Sequence, residues 1–132
     1  RSEVWRERDD LLRAIPGVGP LTRLTLFAGC PELGRLNRRE IAKLAGVAPL
    51  ANDSGSHRGR RSIWGGRASL RATVYMAALA AMRANPVIRA FAERLRAQGK
   101  PPKVVIIACT RKLLTIINAM IKHNTPWNHK IA

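Results

Sequence analysis

The residue types best suited to chemistry are concentrated in one polar segment, residues 49–67. Two serines flank Gly55 there, Ser54 and Ser56, and we expect both hydroxyls to be accessible because their shared neighbour has no side chain. Guanidinium groups hold a phosphodiester and offset the charge that accumulates on its oxygens in a transition state. Five arginines follow the serines: Arg58, Arg60, Arg61, Arg67 and Arg71. The segment therefore predicts a surface that binds nucleic-acid phosphate.

A catalytic serine in this segment would need activation, and only His57 or a group outside the chain could supply the general base. A predominantly polar segment of 19 residues is longer than most connections between helices, and such loops are typically functional or disordered. We expect disorder in the absence of partners, and we interpret Trp64 as an anchor of the loop. On residue types alone, a basic loop that contacts backbone phosphate is favoured over a catalytic serine.

A second candidate site is the sequence Ile-Pro-Gly-Val-Gly-Pro at 15–20, between two predicted helices. Gly17 and Gly19 permit positive φ angles. In a helix-hairpin-helix module, backbone N–H groups at the start of the following helix cradle a phosphate, and the missing Cβ atoms allow close approach. We predict that Gly17 and Gly19 contact nucleic-acid backbone, with a simple interhelical turn as the alternative.

The overall charge supports a polyanionic partner. The chain has 132 residues, of which 24 are Lys or Arg and 8 are Asp or Glu, so its net charge is +16. Since 46% of the residues are hydrophobic, it is a folded domain rather than a basic tail. Such a domain binds nucleic acid or an anionic membrane surface. The longest apolar run, Val74 to Met82, predicts no membrane span, because a span needs about 20 residues.

The sequence predicts no metal site in this chain. Cys30 and Cys109 lie far apart in apolar segments, as buried, reduced thiols of a cytosolic protein do. His57, His123 and His129 lack metal-ligand spacing. The cations at the end of the chain are interpreted as solvated surface: Arg89, Arg94, Arg96, Arg111 and Lys112.

Capping and helix-breaking residues predict an all-α domain of five or six helices, with a helix-hairpin-helix-like element and one long basic loop. The predicted helices cover 21–28, 38–45, 68–83, 86–97 and 103–122, after a helix end within 2–13. The last is apolar enough to be the central core helix. We assign residues 1–13 to an upstream helix or linker, 14–123 to the domain and 124–132 to a loose tail. The missing initiator Met suggests a piece of a longer protein.

Several short motifs, in order and at matching spacing, resemble one family between about Leu11 and Trp127. They are IPGVGP at 15–20, LAGVAP at 44–49, DSG at 53–55, RGRR at 58–61, IWGGRA at 63–68, YMAAL at 75–79, NPVIR at 85–89, GKP at 99–101 and RKLL at 111–114. The chain resembles the C-terminal transposase domain of the insertion-sequence-110 family, the bridge-RNA-guided DNA recombinases.

The resemblance implies a serine nucleophile that attacks a DNA phosphodiester and forms a covalent protein–DNA link. It places that nucleophile at Ser54, with Ser56 as the fallback. A separate N-terminal RuvC-like domain, absent from this chain, would supply acidic residues and a divalent metal, magnesium, so this chain alone is expected to be inactive.

The resemblance also implies DNA and a guide RNA as partners, a dimer or tetramer of the parent protein, and the cytoplasm of a bacterium or archaeon. Base pairing with the RNA would select the target. Two other functions remain open: a non-catalytic helix-hairpin-helix DNA-binding module, and an assembly domain whose 68–83 helix pairs with a second copy.

Overall fold

The computed structural model describes residues 2–46 and 65–128, which contain six helices and no strand. The all-α prediction is therefore confirmed. The helices are α1 Ser2–Leu12, α2 Pro20–Gly29, α3 Arg38–Ala45, α4 Gly65–Ala84, α5 Pro86–Ala97 and α6 Pro102–His123.

Local capping signals determine most of these helix ends. The Asn37 side chain accepts a hydrogen bond from the Glu40 N–H, and the Glu40 carboxylate accepts one from the Asn37 N–H, both at 2.9 Å. This is the predicted capping box, and α3 has the predicted bounds. Helix α5 also has its predicted bounds. Helix α4 begins at Gly65, three residues before the predicted start, although glycine has a low helix propensity.

Helix α6 is the centre of the core, as predicted. It packs against α1, α3, α4 and α5. Its buried apolar side chains include Val105, Leu113, Leu114, Ile117 and Met120. Full burial of a side chain of this size contributes about 1.5–3 kcal/mol to folding, so this face of α6 contributes substantially to stability.

Helix α4 packs on α6 through small residues. The face predicted from its periodicity is buried along its length: Leu70, Val74, Ala77, Ala78 and Ala81. Because these side chains are mostly alanine, neighbouring backbone can approach α4 closely. The hairpin between α1 and α2 approaches the α4 backbone in this way.

Helix α6 is longer and more apolar than the run-length criterion indicated. One window of 18 residues within Pro102–His123 has a mean hydropathy of 1.8, so α6 could cross a membrane by length and composition. A search for the longest uninterrupted apolar run does not find α6, because Arg111 and Lys112 interrupt its apolar sequence. Half of that window is buried against other helices, which is typical of the core helix of a folded domain.

Asn118 fixes the segment between α2 and α3 to the core helix. Its side-chain oxygen accepts hydrogen bonds from the N–H groups of Gly34, at 2.7 Å, and Leu36, at 3.1 Å. Its amide nitrogen donates to the Leu36 carbonyl at 3.1 Å. A buried asparagine thereby satisfies backbone groups that would otherwise be buried without partners. After α6, Trp127 is half-buried against the core.

Candidate nucleic-acid interface

The glycine hairpin joins two antiparallel helices. Asp9 of α1 pairs with Arg23 of α2, and the Trp5 and Phe27 rings lie 6.3 Å apart between their centroids. Arg23 also donates to the Val18 carbonyl at 3.1 Å, so one buried guanidinium connects α1, α2 and the hairpin. Hydrogen bonds to a charged group are stronger than neutral ones, which makes this a rigid support for the hairpin.

Gly17 holds the hairpin against α4. Its φ is +96°, in the region that favours glycine, and a Cβ built on it would lie 2.7 Å from the Ala81 Cα. Both the backbone conformation and the close approach therefore require glycine. In this position Gly17 faces the core rather than an open surface.

Gly19 lies on the open side of the same turn. Its φ is −84°, so the positive φ that the sequence permits occurs at Gly17 but not at Gly19. Gly19 is the N-cap of α2, and nothing lies within 4 Å of the place where its Cβ would be. Pro20 has no N–H, so the exposed start of α2 presents the amides of Leu21 and Thr22. A phosphate cradle here would be formed by Gly19 and these two amides.

Asn85 connects the hairpin to α5. Its side-chain oxygen accepts from the N–H groups of Val87 and Ile88, which confirms the predicted cap. Its amide also donates to the Pro16 carbonyl at 3.1 Å, and the residue is fully buried. The cap could be predicted from the adjacent Asn85 and Pro86. The hydrogen bond to the Pro16 carbonyl could not, because it depends on the tertiary fold.

The predicted serines lie outside the residues that the structure describes, as do Arg58, Arg60 and Arg61. Only the backbone of Arg67 is described, within the first turn of α4. The segment 47–64 follows α3 and precedes α4, and both helices pack on α6. The segment is therefore joined at both ends to helices that belong to the same core.

Arg71 is half-buried on α4 and faces α3. It lines a cavity of about 310 Å³ with Glu32, Glu40 and Lys43. Although the sequence around Arg71 contains no carboxylate, the fold brings two carboxylates to the same cavity.

Three of the described carboxylates, Asp9, Asp10 and Glu40, have partners close by in the fold. Burial tends to raise the pKa of the Asp9 carboxyl, but the hydrogen bonds and charges of Arg23 and Arg13 outweigh it and hold that pKa below its usual value. Asp10 pairs with Arg13 at 3.5 Å, and Glu40 caps α3. Over the described residues, no cluster of His, Cys, Asp and Glu could hold a metal ion.

Comparison with known proteins identifies the family. The model for the Transposase IS116/IS110/IS902 family matches residues 9–93, close to two thirds of the chain. This chain belongs to that transposase family. The match begins in α1, includes the hairpin and the segment 47–64, and ends in α5. The resemblance inferred from the motifs is therefore confirmed.

The curated relatives of this transposase-family chain are longer proteins. It is 34% identical to the pilin gene-inverting protein of Moraxella bovis over 128 residues, which cover 94% of this chain and 40% of the relative. It is 29% identical to an uncharacterized insertion element IS110 protein of Streptomyces coelicolor over 123 residues, covering 92% of this chain and 30% of the relative. No solved structure matches. The chain thus spans less than half the length of these relatives.

Proposed function

We propose that this chain is the DNA-binding and catalytic-serine domain of an insertion-sequence transposase, with Ser54 as the nucleophile and Ser56 as the fallback. The observation that carries the proposal is the family match over 9–93, which includes both serines, the arginines and the glycine hairpin. A relative named for gene inversion supports it, because inversion requires DNA to be cut and rejoined at two points.

The proposed step exchanges one phosphodiester for another. The Ser54 Oγ attacks a DNA phosphorus, the bond from phosphorus to one deoxyribose oxygen breaks, and the released strand end takes up a proton as a hydroxyl. The serine proton passes to a general base, which His57 or a group outside this chain supplies. Attack by a hydroxyl of the second DNA reverses the step and frees the serine. Since each step retains one phosphodiester, no nucleotide cofactor is needed.

Arginines supply the electrostatic part of this proposal. The guanidinium groups of Arg58, Arg60 and Arg61 hold the phosphate beside Ser54 and offset the charge on its oxygens in the transition state. Arg67 and Arg71 bind adjacent backbone of DNA or guide RNA. Gly19 and the first amides of α2 hold a further phosphate, while Gly17 keeps the hairpin in place against α4.

The divalent metal of the reaction, magnesium, belongs in this proposal to the RuvC-like acidic domain of the parent protein. Over the described residues, no group of His, Cys, Asp and Glu is placed so that it could hold a metal ion. Strand exchange therefore requires the longer protein, and the present chain alone is inactive.

We propose further that the parent protein is guided by RNA, so that no side chain of this chain selects the target sequence. Recombination joins two DNA partners and needs at least two serine sites. The parent accordingly acts as a dimer or tetramer, in the cytoplasm of a bacterium or archaeon.

A non-catalytic DNA-binding module is the second candidate function. The observation that favours it is the antiparallel α1–α2 pair with Gly19 open at its turn, a geometry that suits backbone contact without chemistry. It predicts that replacement of either serine leaves every activity of the parent intact.

The test uses the parent protein with its N-terminal region and guide RNA restored. It is incubated with labelled target DNA and magnesium, and a protein–DNA adduct that resists denaturant is sought. The variants are Ser54→Ala and Ser56→Ala, each a removal of one hydroxyl from the same segment, so each serves as the control for the other.

Loss of the adduct in Ser54→Ala alone establishes Ser54 as the nucleophile, and loss in Ser56→Ala alone moves the site to Ser56. An adduct that persists in both variants overturns the serine assignment. Binding of DNA without any adduct from the wild-type protein supports the non-catalytic module instead.

A further inference from the structure

A groove between α5 and α6 combines an apolar floor with a cationic edge. It has a volume of about 490 Å³ and includes Phe91 from α5 and Ile116 from α6. Its lining on α6 extends from Ala108 to Ala119, eleven residues apart, which corresponds to roughly 16 Å along the helix. Arg111 and Lys112 also line it. The groove is therefore elongated rather than a closed cavity.

Two cations are held at the Phe91 ring. The Lys112 Nζ lies 4.8 Å from the ring centroid, and the Arg94 Cζ lies 5.3 Å from it. Cation–π attraction restricts where these long side chains extend, so positive charge is fixed beside the apolar floor. Phe91 and Arg94 are neighbours three residues apart on α5, whereas the contact of Lys112 with Phe91 could not be predicted from their spacing in the sequence.

The charge around the groove is almost entirely positive. Residues 65–128 contain eleven Lys or Arg and one carboxylate, Glu93, whereas residues 2–46 contain eight Lys or Arg and six carboxylates. Glu93 pairs with Arg89 and lines a different cleft, between α4 and α5. No carboxylate is among the described residues that line the α5–α6 groove.

We propose that the α5–α6 groove binds an unpaired nucleic-acid strand, with bases against its apolar lining and phosphates on Arg111 and Lys112. A single strand has the matching chemistry, since its bases are apolar on their faces and its backbone is anionic. In a duplex the base faces are stacked on one another and cannot reach the floor. This inference rests on the proposed nucleic-acid function and adds a site apart from the 49–67 segment and the glycine hairpin.

The experiment measures binding of the 132-residue chain to labelled oligonucleotides of equal length: single-stranded DNA, single-stranded RNA and duplex DNA. The double variant Arg111→Ala/Lys112→Ala removes two cations from the groove. Its control, Arg38→Ala/Arg39→Ala, removes two exposed cations from α3. Thr115→Trp fills the groove from an exposed position without changing charge, and Ala97→Trp adds the same bulk at an exposed site on α5.

We expect the groove double variant to weaken single-strand binding about tenfold and to reduce the slope of log affinity against log salt by about 1.4. Thr115→Trp should weaken single-strand binding while duplex binding stays within about twofold, since only unpaired bases enter the groove. Comparison of the DNA and RNA arms identifies which strand the groove prefers. Circular dichroism of each variant verifies that its helices are intact.

Equal losses in the groove and control variants would overturn the groove assignment and leave the general nucleic-acid function standing. Unchanged single-strand binding in the groove variants would also overturn it. A wild-type chain that binds none of the three oligonucleotides would contradict the proposed function itself as well as the groove.

Discussion

At the scale of single residues, a few buried polar side chains determine how the candidate site is supported. Arg23 is buried and bonds both to Asp9 and to the Val18 carbonyl. Asn85 and Asn118 are buried as well, and each bonds to backbone of a distant segment. Burial of such groups costs free energy unless every polar atom is paired. We therefore expect their replacement to destabilise segments well beyond their own helix.

The Asp9–Arg23 pair predicts a pH-dependent loss of stability in Asp9→Asn. Because the pKa of Asp9 is below its ordinary value of 3.8 in the folded state, the ionised carboxyl stabilises the fold above that pH. That contribution disappears as the pH falls through the lowered pKa. We expect Asp9→Asn to reduce the free energy of unfolding by about 1–3 kcal/mol at pH 7. Urea unfolding at pH 7 and at successively lower pH measures it.

The control is Asp10→Asn, which removes an exposed carboxyl from the neighbouring position and should change stability by less than about 0.5 kcal/mol. The difference between Asp9→Asn and wild type should shrink as the pH falls below 3.8. A difference that is the same at every pH would contradict the pairing.

At the scale of elements, the two glycines of the hairpin have separate structural roles although the sequence presents them alike. Gly17 has a positive φ and packs against the Ala81 backbone, whereas Gly19 has an ordinary φ and faces open space. The turn could be predicted from the Gly-Val-Gly pattern. Which glycine is required for packing could not, because that depends on where α4 passes.

We therefore expect Gly17→Ala and Gly19→Ser to behave differently. Gly17→Ala introduces backbone strain and a clash, and should lower the free energy of unfolding by about 1–3 kcal/mol. Gly19→Ser should leave it unchanged or raise it by up to about 1 kcal/mol, since serine is a favoured N-cap. Denaturant unfolding measures both effects. Similar losses in the two variants would be inconsistent with the observed turn.

The variant Gly19→Ser also tests the role of the hairpin in DNA binding. Gly19→Ser places a Cβ where a phosphate would approach, so weaker duplex binding with intact stability would support contact at Gly19. Unchanged binding would assign the hairpin to structure alone.

At the scale of the whole molecule, one core connects the helices on both sides of the 47–64 segment. Helix α6 packs against α1 and α3 as well as against α4 and α5. The two cysteines lie in different parts of this core, Cys30 after α2 and Cys109 in α6, and they are 1% and 0% exposed. Burial also raises the pKa of the Cys109 thiol, which reduces its reactivity further.

We predict that the two thiols become reactive together. In the folded chain, a thiol reagent should label neither cysteine rapidly at pH 8, and denaturant should expose both in a single transition. The single variants Cys30→Ala and Cys109→Ala isolate each thiol and allow the two labelling rates to be compared. A much faster rate for one cysteine would show that its part of the core opens independently.

The all-α class, the bounds of α3 and α5 and the central position of α6 were predictable from the sequence. These features depend on caps, prolines and apolar periodicity, which act between residues a few positions apart. The family could be recognised for a related reason, because its motifs are short sequences that occur in the expected order in this chain. Net charge likewise requires only counting, so a polyanionic partner could be inferred before any fold was known.

Only the tertiary structure brought together Asn85 with Pro16, Asn118 with Gly34, and Phe91 with Lys112. It also placed Glu32 and Glu40 around the same cavity as Arg71, although the sequence near Arg71 contains cations and no carboxylate. Each of these contacts joins residues that are far apart along the chain. Their meeting depends on how the helices pack, and many different packings would satisfy the same local patterns, so sequence spacing alone does not determine them.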